Sequence, residues 1–179
     1  LTTINDIIKL SELDVMETTT LVLDRLPLYQ MAENCVDMLQ VNAEKHQVTL
    51  KLEGAPAYIM GNREMVDEVL YNLCDNAIRY NNINGSVVVR VKPEGEKVRL
   101  CVEDTGIGIP EKYQSRVFER FYRVDKSRSK ATGGTGLGLA IVKHIVAQHE
   151  AEMKLESEPG KGTRITILFE NADKDDTMN

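Results

Sequence analysis

A chain of 179 residues, 42% hydrophobic and 28% charged, suits one soluble domain large enough to bury a real core. Its net charge of −6 argues against nucleic acid as the main partner, and no run is long or apolar enough to span a membrane or to form a signal peptide. Three cysteines (Cys35, Cys74 and Cys101) fit no metal spacing, and Cys35 and Cys74 read as small core residues in a reducing compartment.

Residues 1–13 place Leu1, Ile4, Ile8 and Leu13 near one helical face and begin abruptly, as the end of a longer helix would. The opening residue is Leu1 rather than Met, so the chain reads as a piece of something longer. Residues 21–28 read as extended. Leu28, Met31, Ala32, Cys35, Val36, Leu39 and Ala43 then form the stripe of an amphipathic helix over 28–45. VTLKL at 48–52 is a strand, and 54–61 is a connection with a short extended piece. Val66, Val69, Leu70, Leu73 and Ala77 make the core stripe of a second helix over about 62–80.

SVVVRVK at 86–92 and VRLCVED at 98–104 alternate and join through PEGE as a hairpin. A glycine-rich section follows, then the apolar helical run LAIVKHIVAQH, then MKLESE and TRITILF joined by the turn PGKG. ENADKDDTMN, acidic and poor in apolar residues, reads as a disordered tail. Helices and strands do not alternate in a strict βαβ series, and several strands pair as hairpins. The expected fold is α+β: a two-layer α/β sandwich with a mixed, mostly antiparallel sheet and helices on one face.

The chemistry concentrates between Asp104 and Leu139. Two glycine-rich turns, DTGIGIP and GGTGLGL, bracket a basic segment, and the second opens directly into a helix. In that context exposed backbone N–H groups and the helix dipole favour an anion, and the arrangement suits ATP held under a lid. The segment 111–132 carries seven basic residues against three acidic ones, +4 within a chain of −6. A charge run is usually a solvated surface. Its place between two phosphate-type loops points instead to ATP phosphates, with Phe118, Phe121 and Tyr122 anchoring it to the body.

Asn72 and Asn76 are four apart and share a helix face that Arg79 and Tyr80 continue. Asparagine is a poor helix former. Either the pair is a solvated polar face, or its amide oxygens are aimed at a hydrated Mg²⁺ with Arg79 in reach of phosphate. Asp104 shares the inward parity of Val98, Leu100 and Val102. It either shapes the turn or, as a buried carboxylate that needs a partner, accepts from the exocyclic amine of adenine.

NLCDNAIRYN, DTGIGIP, FERFYRVD and GGTGLGL, in this order, resemble the N box, first glycine box, F box and second glycine box of sensor histidine kinases. The match covers roughly residues 21–169, and its wording looks most like the phosphate-sensor subfamily. The resemblance implies the Bergerat ATP-binding fold shared with gyrase, Hsp90 and MutL. LTTINDIIKLSELD looks like the end of the second helix of the dimerisation hairpin, which divides the chain into 1–14, a catalytic domain over 15–170 and a tail over 171–179.

Carried over by resemblance, Asn76 is the main Mg²⁺ ligand with Asn72 beside it, and Asn72 and Arg79 serve phosphoryl transfer. Arg79 contacts phosphate and Tyr80 lies near the nucleotide. Asp104 reads the adenine amine, with Gly106, Gly108 and Ile109 shaping the base pocket. Phe118 and Phe121 seat the lid, and Arg123, Arg128 and Lys130 reach the phosphates. Gly134, Thr135, Gly136, Leu137 and Gly138 bring backbone amides to them. The implied partners are the parent's own phosphoacceptor hairpin and a response-regulator receiver domain. The implied parent is a homodimeric bacterial inner-membrane sensor with this domain in the cytoplasm, and the chain alone is expected to be a monomer.

Two departures from the family pattern matter. The acceptor His is followed by an acidic residue in the family, whereas His46 precedes Gln47 and His144 precedes Ile145; His149-Glu150 has the first pair, but Met153 fills the later place. The chain is therefore expected to bind ATP without autophosphorylating. HEAEM at 149–153 stands where the family often has His-Gly-Gly, so this turn is expected to change shape for want of positive φ. Two alternatives stay open. One is an ATP-hydrolysing relative of gyrase and Hsp90, whose N-box Glu aligns with Asn72, an amide that cannot act as a general base. The other is a non-catalytic nucleotide-sensing module.

Overall fold

The computed structural model describes residues 21–119, 122 and 138–173. The expected hairpin end, Phe121, Arg123, Arg128, Lys130, Gly134, Thr135, Gly136 and Leu137 lie outside the described residues.

The elements run β1 (Asp24–Pro27), α1 (Leu28–Lys45), β2 (Thr49–Gly54), β3 (Tyr58–Gly61), α2 (Arg63–Arg79), β4 (Ser86–Glu94) and β5 (Lys97–Asp104). A short α3 (Glu111–Gln114), α4 (Gly138–Gln148), β6 (Glu152–Glu158) and β7 (Gly162–Glu170) complete them. Five strands form one sheet in the order β2-β4-β5-β7-β6; β2 and β4 are parallel and the other neighbours antiparallel. This is the mixed, mostly antiparallel sheet that the hairpins predict. β1 and β3 pair separately.

Period-two alternation decides which face the helices cover. Val87, Val89 and Val91 of β4, Val98, Leu100 and Val102 of β5, and Ile165, Ile167 and Phe169 of β7 are buried. They form one core with the apolar stripes of α1, α2 and α4. The opposite parity carries Arg90, paired with Glu53 and Glu103, and Arg164, paired with Glu103. Exposed pairs of this kind add little stability, but they keep that face in water and leave the helices on the other.

The start of α2 is fixed by Asn62, whose Oδ1 accepts the Met65 N–H at 3.2 Å, the ordinary N-cap bond. The Asn62 N–H in turn donates to His149 Nε2 at 3.0 Å, and His149 Nδ1 lies 2.8 Å from Ile145 O. An Nε2 that accepts puts the ring proton on Nδ1, and burial pushes the His149 pKa down, so this histidine is a neutral strut between α4 and α2.

The turn after His149 keeps a positive φ without a glycine. Glu150 itself takes φ +50°, the left-handed conformation a glycine would supply. The bonds of Glu150 N–H to Ala147 O and Ala151 N–H to Val146 O, together with the His149 strut, over-determine the turn against the preference of the side chain. Glu150→Gly should therefore raise stability by about 1 kcal/mol in urea unfolding, the strain relieved exceeding the entropy glycine costs the folded state. A loss of stability would mean that the Glu150 side chain has an interaction that outweighs its backbone strain.

The tail boundary expected at 170 falls short of the folded body. Asn171 is buried, its N–H donates to Glu96 O and its Nδ2 to Gly95 O, and Ala172 N–H donates to Tyr58 O. Asp173 meets Arg25 through two bonds of 2.8 Å, and that guanidinium lies on the Tyr58 ring. A polar composition hides this because the ties use backbone atoms and one amide rather than apolar burial.

Candidate functional site

The C-terminal half of α2, the inward ends of β5 and β7, the loop after Asp104 and the first turn of α4 enclose a pocket of about 100 Å³. Its apolar walls are Ala77, Val102, Ile107, Ile109, Val117, Leu139 and Ile165. Polar groups enter from Asn76, Tyr80, Asp104 and Thr163, and Gly108 completes the rim. Flat apolar walls with a few convergent polar atoms are the usual build of a small-molecule site.

Asp104 is the pocket's chief electrostatic feature. Its Oδ1 accepts the Gly106 N–H at 2.8 Å and the Thr163 N–H at 3.2 Å. Burial lifts its pKa from 3.8 to about 6 against the pull of those two bonds. Oδ2 has no partner among the described residues. A half-buried carboxylate oxygen left open on a largely apolar pocket calls for a donor.

The glycines of DTGIGIP are required by packing. A Cβ at Gly106 would stand 2.4 Å from Tyr80 O, and one at Gly108 would stand 2.1 Å from Glu158 O with φ at +72°. Close approach lets Ile107 N–H bond Tyr80 O and Gly160 N–H bond Ile107 O. The loop is thus clamped between the end of α2 and the β6–β7 turn. Thr105 fastens its start, accepting the Ser86 N–H at 2.9 Å and donating to Asn81 Oδ1 at 3.3 Å.

On α2, Asn76 lines the pocket, and its side chain makes no hydrogen bond among the described residues. Asn72 lies one turn earlier, outside the lining. Its Nδ2 donates to Glu68 O at 2.8 Å, and its Oδ1 faces Gly138, where a Cβ would stand 3.2 Å away. Asn72 therefore marks the point where α2 meets the first residue of α4. Arg79 lies beside the pocket, its Nε 2.7 Å from Asp75 Oδ2. The described structure thus gathers Asn76, Tyr80, Asp104, Gly108 and Ile109 around one cavity, and leaves Asn72, Arg79, Gly106 and Gly138 adjacent to it.

The first part of the expected lid belongs to the body. Residues 111–114 form α3, and Val117 lines the pocket as the buried anchor, while Phe118 is only half-buried. Two of the segment's cations are engaged locally: Arg116 pairs with Glu119 and lies over Tyr122, and Lys112 lies over Tyr113. Thr163 and Ile165 are pocket residues that the motifs did not announce. Their signal is register: β5 and β7 pair with Asp104 opposite Thr163 and Val102 opposite Ile165, so the inward parity of one strand fixes that of the other.

Residues 61–173 match the family model described as "Histidine kinase-, DNA gyrase B-, and HSP90-like ATPase". The chain belongs to this family.

Curated relatives of this ATPase-family chain include the sensor-like histidine kinase SenX3 of Mycolicibacterium smegmatis, 38% identical over 165 residues, covering 92% of this chain and 43% of SenX3. The phosphate regulon sensor protein PhoR of Pseudomonas aeruginosa is 43% identical over 121 residues, covering 67% of this chain and 27% of PhoR. The chain thus spans less than half the length of these relatives. Among solved structures, full-length ShkA in complex with AMPPNP superposes with a TM-score of 0.80 at 22% identity, covering 96% of this chain and 36% of ShkA. That likeness is one of fold, and it agrees with the α+β sandwich of this ATPase family. No helix among the described residues is long and apolar enough to cross a membrane.

Proposed function

We propose that this chain binds MgATP as the catalytic portion of a sensor histidine kinase, for γ-phosphoryl transfer to a histidine on a dimerisation hairpin and relay to a receiver aspartate. The observation that carries the reading is the open Asp104 Oδ2 facing an apolar slot that also receives the uncommitted Asn76 amide.

In this reading the base lies between the walls set by Val102, Ile165, Ile109 and Val117, and its exocyclic amine donates to Asp104. Tyr80 flanks the nucleotide. The donor set suits a hard cation: Asn76 offers a neutral oxygen, and Asn72 stands one turn away toward α4. Mg²⁺ held there would neutralise polyphosphate charge. Arg79, poised on Asp75, supplies a further cation on the same side of α2, and Gly138 allows the start of α4 to approach. The glycines of the second box and the lid residues Phe121, Arg123, Arg128 and Lys130 are assigned to the phosphates by resemblance. Positioning and charge neutralisation supply most of the catalysis in phosphoryl transfer.

The acceptor comes from the parent protein in this reading. His149 is committed as a strut, and His46 Nδ1 lies 2.9 Å from Asn42 O. Residues 1–14 would be the end of the hairpin, and the parent a homodimeric membrane sensor. Hydrolysis of the gyrase or Hsp90 kind is disfavoured because Asn72 offers no basic group and its amide is occupied by Glu68 O.

Calorimetric titration with a non-hydrolysable ATP analogue, with and without Mg²⁺, tests the proposal. Wild type should bind in both conditions and more tightly with the metal. Asn76→Ala should keep metal-free binding and lose the Mg²⁺ enhancement. Absence of any heat with the wild type would sink the nucleotide reading, and an intact enhancement in the variant would move the metal away from Asn76.

A further inference from the structure

The loop from Asp104 to Pro110 is tied to the β6–β7 hairpin through a side chain that belongs to none of the four motifs. The Ser157 hydroxyl accepts the Ile109 N–H at 2.8 Å and donates to Gly162 O at 2.9 Å. Thr163 Oγ1 stands 2.8 Å from the same oxygen, and it is the donor of that pair once the Ser157 proton is committed to Gly162. Ile109 and Thr163 both line the pocket, one on the loop and one on β7, and the Ser157 oxygen joins them. The Thr163 N–H also holds Asp104 Oδ1. Gln114 closes the arrangement from α3, its Nε2 donating to Ile109 O at 2.9 Å and to Ser157 O at 3.0 Å.

We propose that Ser157 is a positioning residue of the nucleotide pocket: its hydroxyl sets the spacing between the loop wall at Ile109 and the strand wall at Thr163. The inference rests on the adenine nucleotide reading given above. A planar base must touch both walls at once, and a gap of about 0.5–1 Å forfeits a quarter to a half of the attraction of each contact. Without the Ser157 oxygen, the Ile109 N–H loses its acceptor in a half-buried place and the loop must shift to find water. Tyr80 O and the Gly160 N–H hold Ile107, and Gln114 holds Ile109 O, so what the serine alone holds is the Ile109 N–H, the end of the loop that forms the pocket wall. Ser157 touches neither metal nor phosphate in this reading, so its effect falls on the base subsite alone.

The test measures dissociation constants of adenosine, ADP and a non-hydrolysable ATP analogue for wild type, Ser157→Ala, Ser157→Thr and Ser157→Val. Threonine and valine share one shape and suit a strand equally, so they differ only in the hydroxyl. Ala and Val should weaken all three ligands by a common factor of about ten, the worth of one lost bond at a half-buried site, while Thr stays within about threefold of wild type. A purely structural serine would lower the melting temperature and leave these affinities unchanged, and that result would overturn the proposal. So would a loss that grows with phosphate number. If the alanine variant does not fold, the Thr–Val pair still decides, since equal affinities in the two would remove the hydroxyl from the argument. Failure of the wild type to bind adenosine or nucleotide would reject the underlying site reading instead, which keeps the two failures apart.

Discussion

Replacing Asp104 with Asn should cost about 100-fold in ATP affinity, about 3 kcal/mol, while making the ligand-free protein more stable above pH 6. Asparagine retains an oxygen for the Gly106 and Thr163 N–H groups, so the loop keeps its anchors. Its second position then presents a donor to the pocket where the carboxylate presented Oδ2, and a donor facing the adenine amine leaves both unsatisfied. Stability moves the other way because burial lifts the Asp104 pKa from 3.8 to about 6. A folded pKa above the unfolded one means that the group's contribution is fully present below about pH 3.8 and is lost as pH rises through about 6. At about 1.36 kcal/mol per pH unit, that loss approaches about 3 kcal/mol by neutral pH. The variant escapes it. Urea unfolding at pH 4 and pH 8 should therefore show near-equal stability at the lower value and a more stable variant at the higher one. The same titration predicts that wild-type nucleotide affinity falls as pH drops below about 6, since a proton then occupies the acceptor. Equal affinities for wild type and variant would remove Asp104 from base recognition.

The opposed signs in one variant describe how the site is built. An ionised carboxylate in a largely apolar slot is a local cost, held in place by Gly106 and Thr163 and offset when a donor arrives. His149 belongs to the other category. Its lowered pKa keeps it neutral between Asn62 and Ile145, so its contribution is present above about pH 6.5 and is lost as pH falls through its depressed folded value. It stabilises the framework without facing the pocket.

Much of this architecture was legible because it repeats along the chain. The stripe from Leu28 to Ala43 and the stripe from Val66 to Ala77 fixed two helices, and the parity of Val98, Leu100 and Val102 carried Asp104 inward with them. Residues whose importance lies in a partner far along the chain were not legible. Thr163 meets Asp104 across 59 positions and Ser157 meets Ile109 across 48, and nothing local to either distinguishes it from any other strand hydroxyl. Asn171 escaped because an acidic, apolar-poor stretch scores as tail even when its backbone closes an edge against Glu96 and Tyr58. Glu150 misled for the opposite reason: a local rule disfavouring its conformation was overridden by the bonds around it. Arg79 shares a helix face with Asn76, yet only the fold shows that Asp75 holds it beside the cavity rather than within it.

Gly108→Ala should cost both stability and nucleotide affinity heavily, and Gly160→Ala provides its control. Both glycines adopt positive φ, +72° and +81°, so each substitution carries the left-handed penalty of about 1–2 kcal/mol. Their surroundings differ completely. A Cβ at Gly160 meets nothing within 4 Å, whereas one at Gly108 would lie 2.1 Å from Glu158 O and 2.6 Å from its carbonyl carbon. Both of those are backbone atoms of β6, the strand that also carries Ser157, so neither can swing aside as a side-chain tip would. Relief requires the loop to lift off the hairpin. That movement breaks the Gly160 N–H bond to Ile107 O and the Ile109 N–H bond to Ser157, and it opens the wall of the pocket. Strain of overpacking adds about 1–3 kcal/mol to the backbone term. Gly160→Ala should thus lose about 1 kcal/mol and bind an ATP analogue as wild type does. Gly108→Ala should lose about 3 kcal/mol or more and bind at least about 100-fold more weakly. Because φ is matched, the difference between the two isolates close approach of backbones as the reason glycine occupies this position. Equal losses would show that conformational freedom alone explains it, and that the loop does not need the hairpin to hold its wall of the pocket.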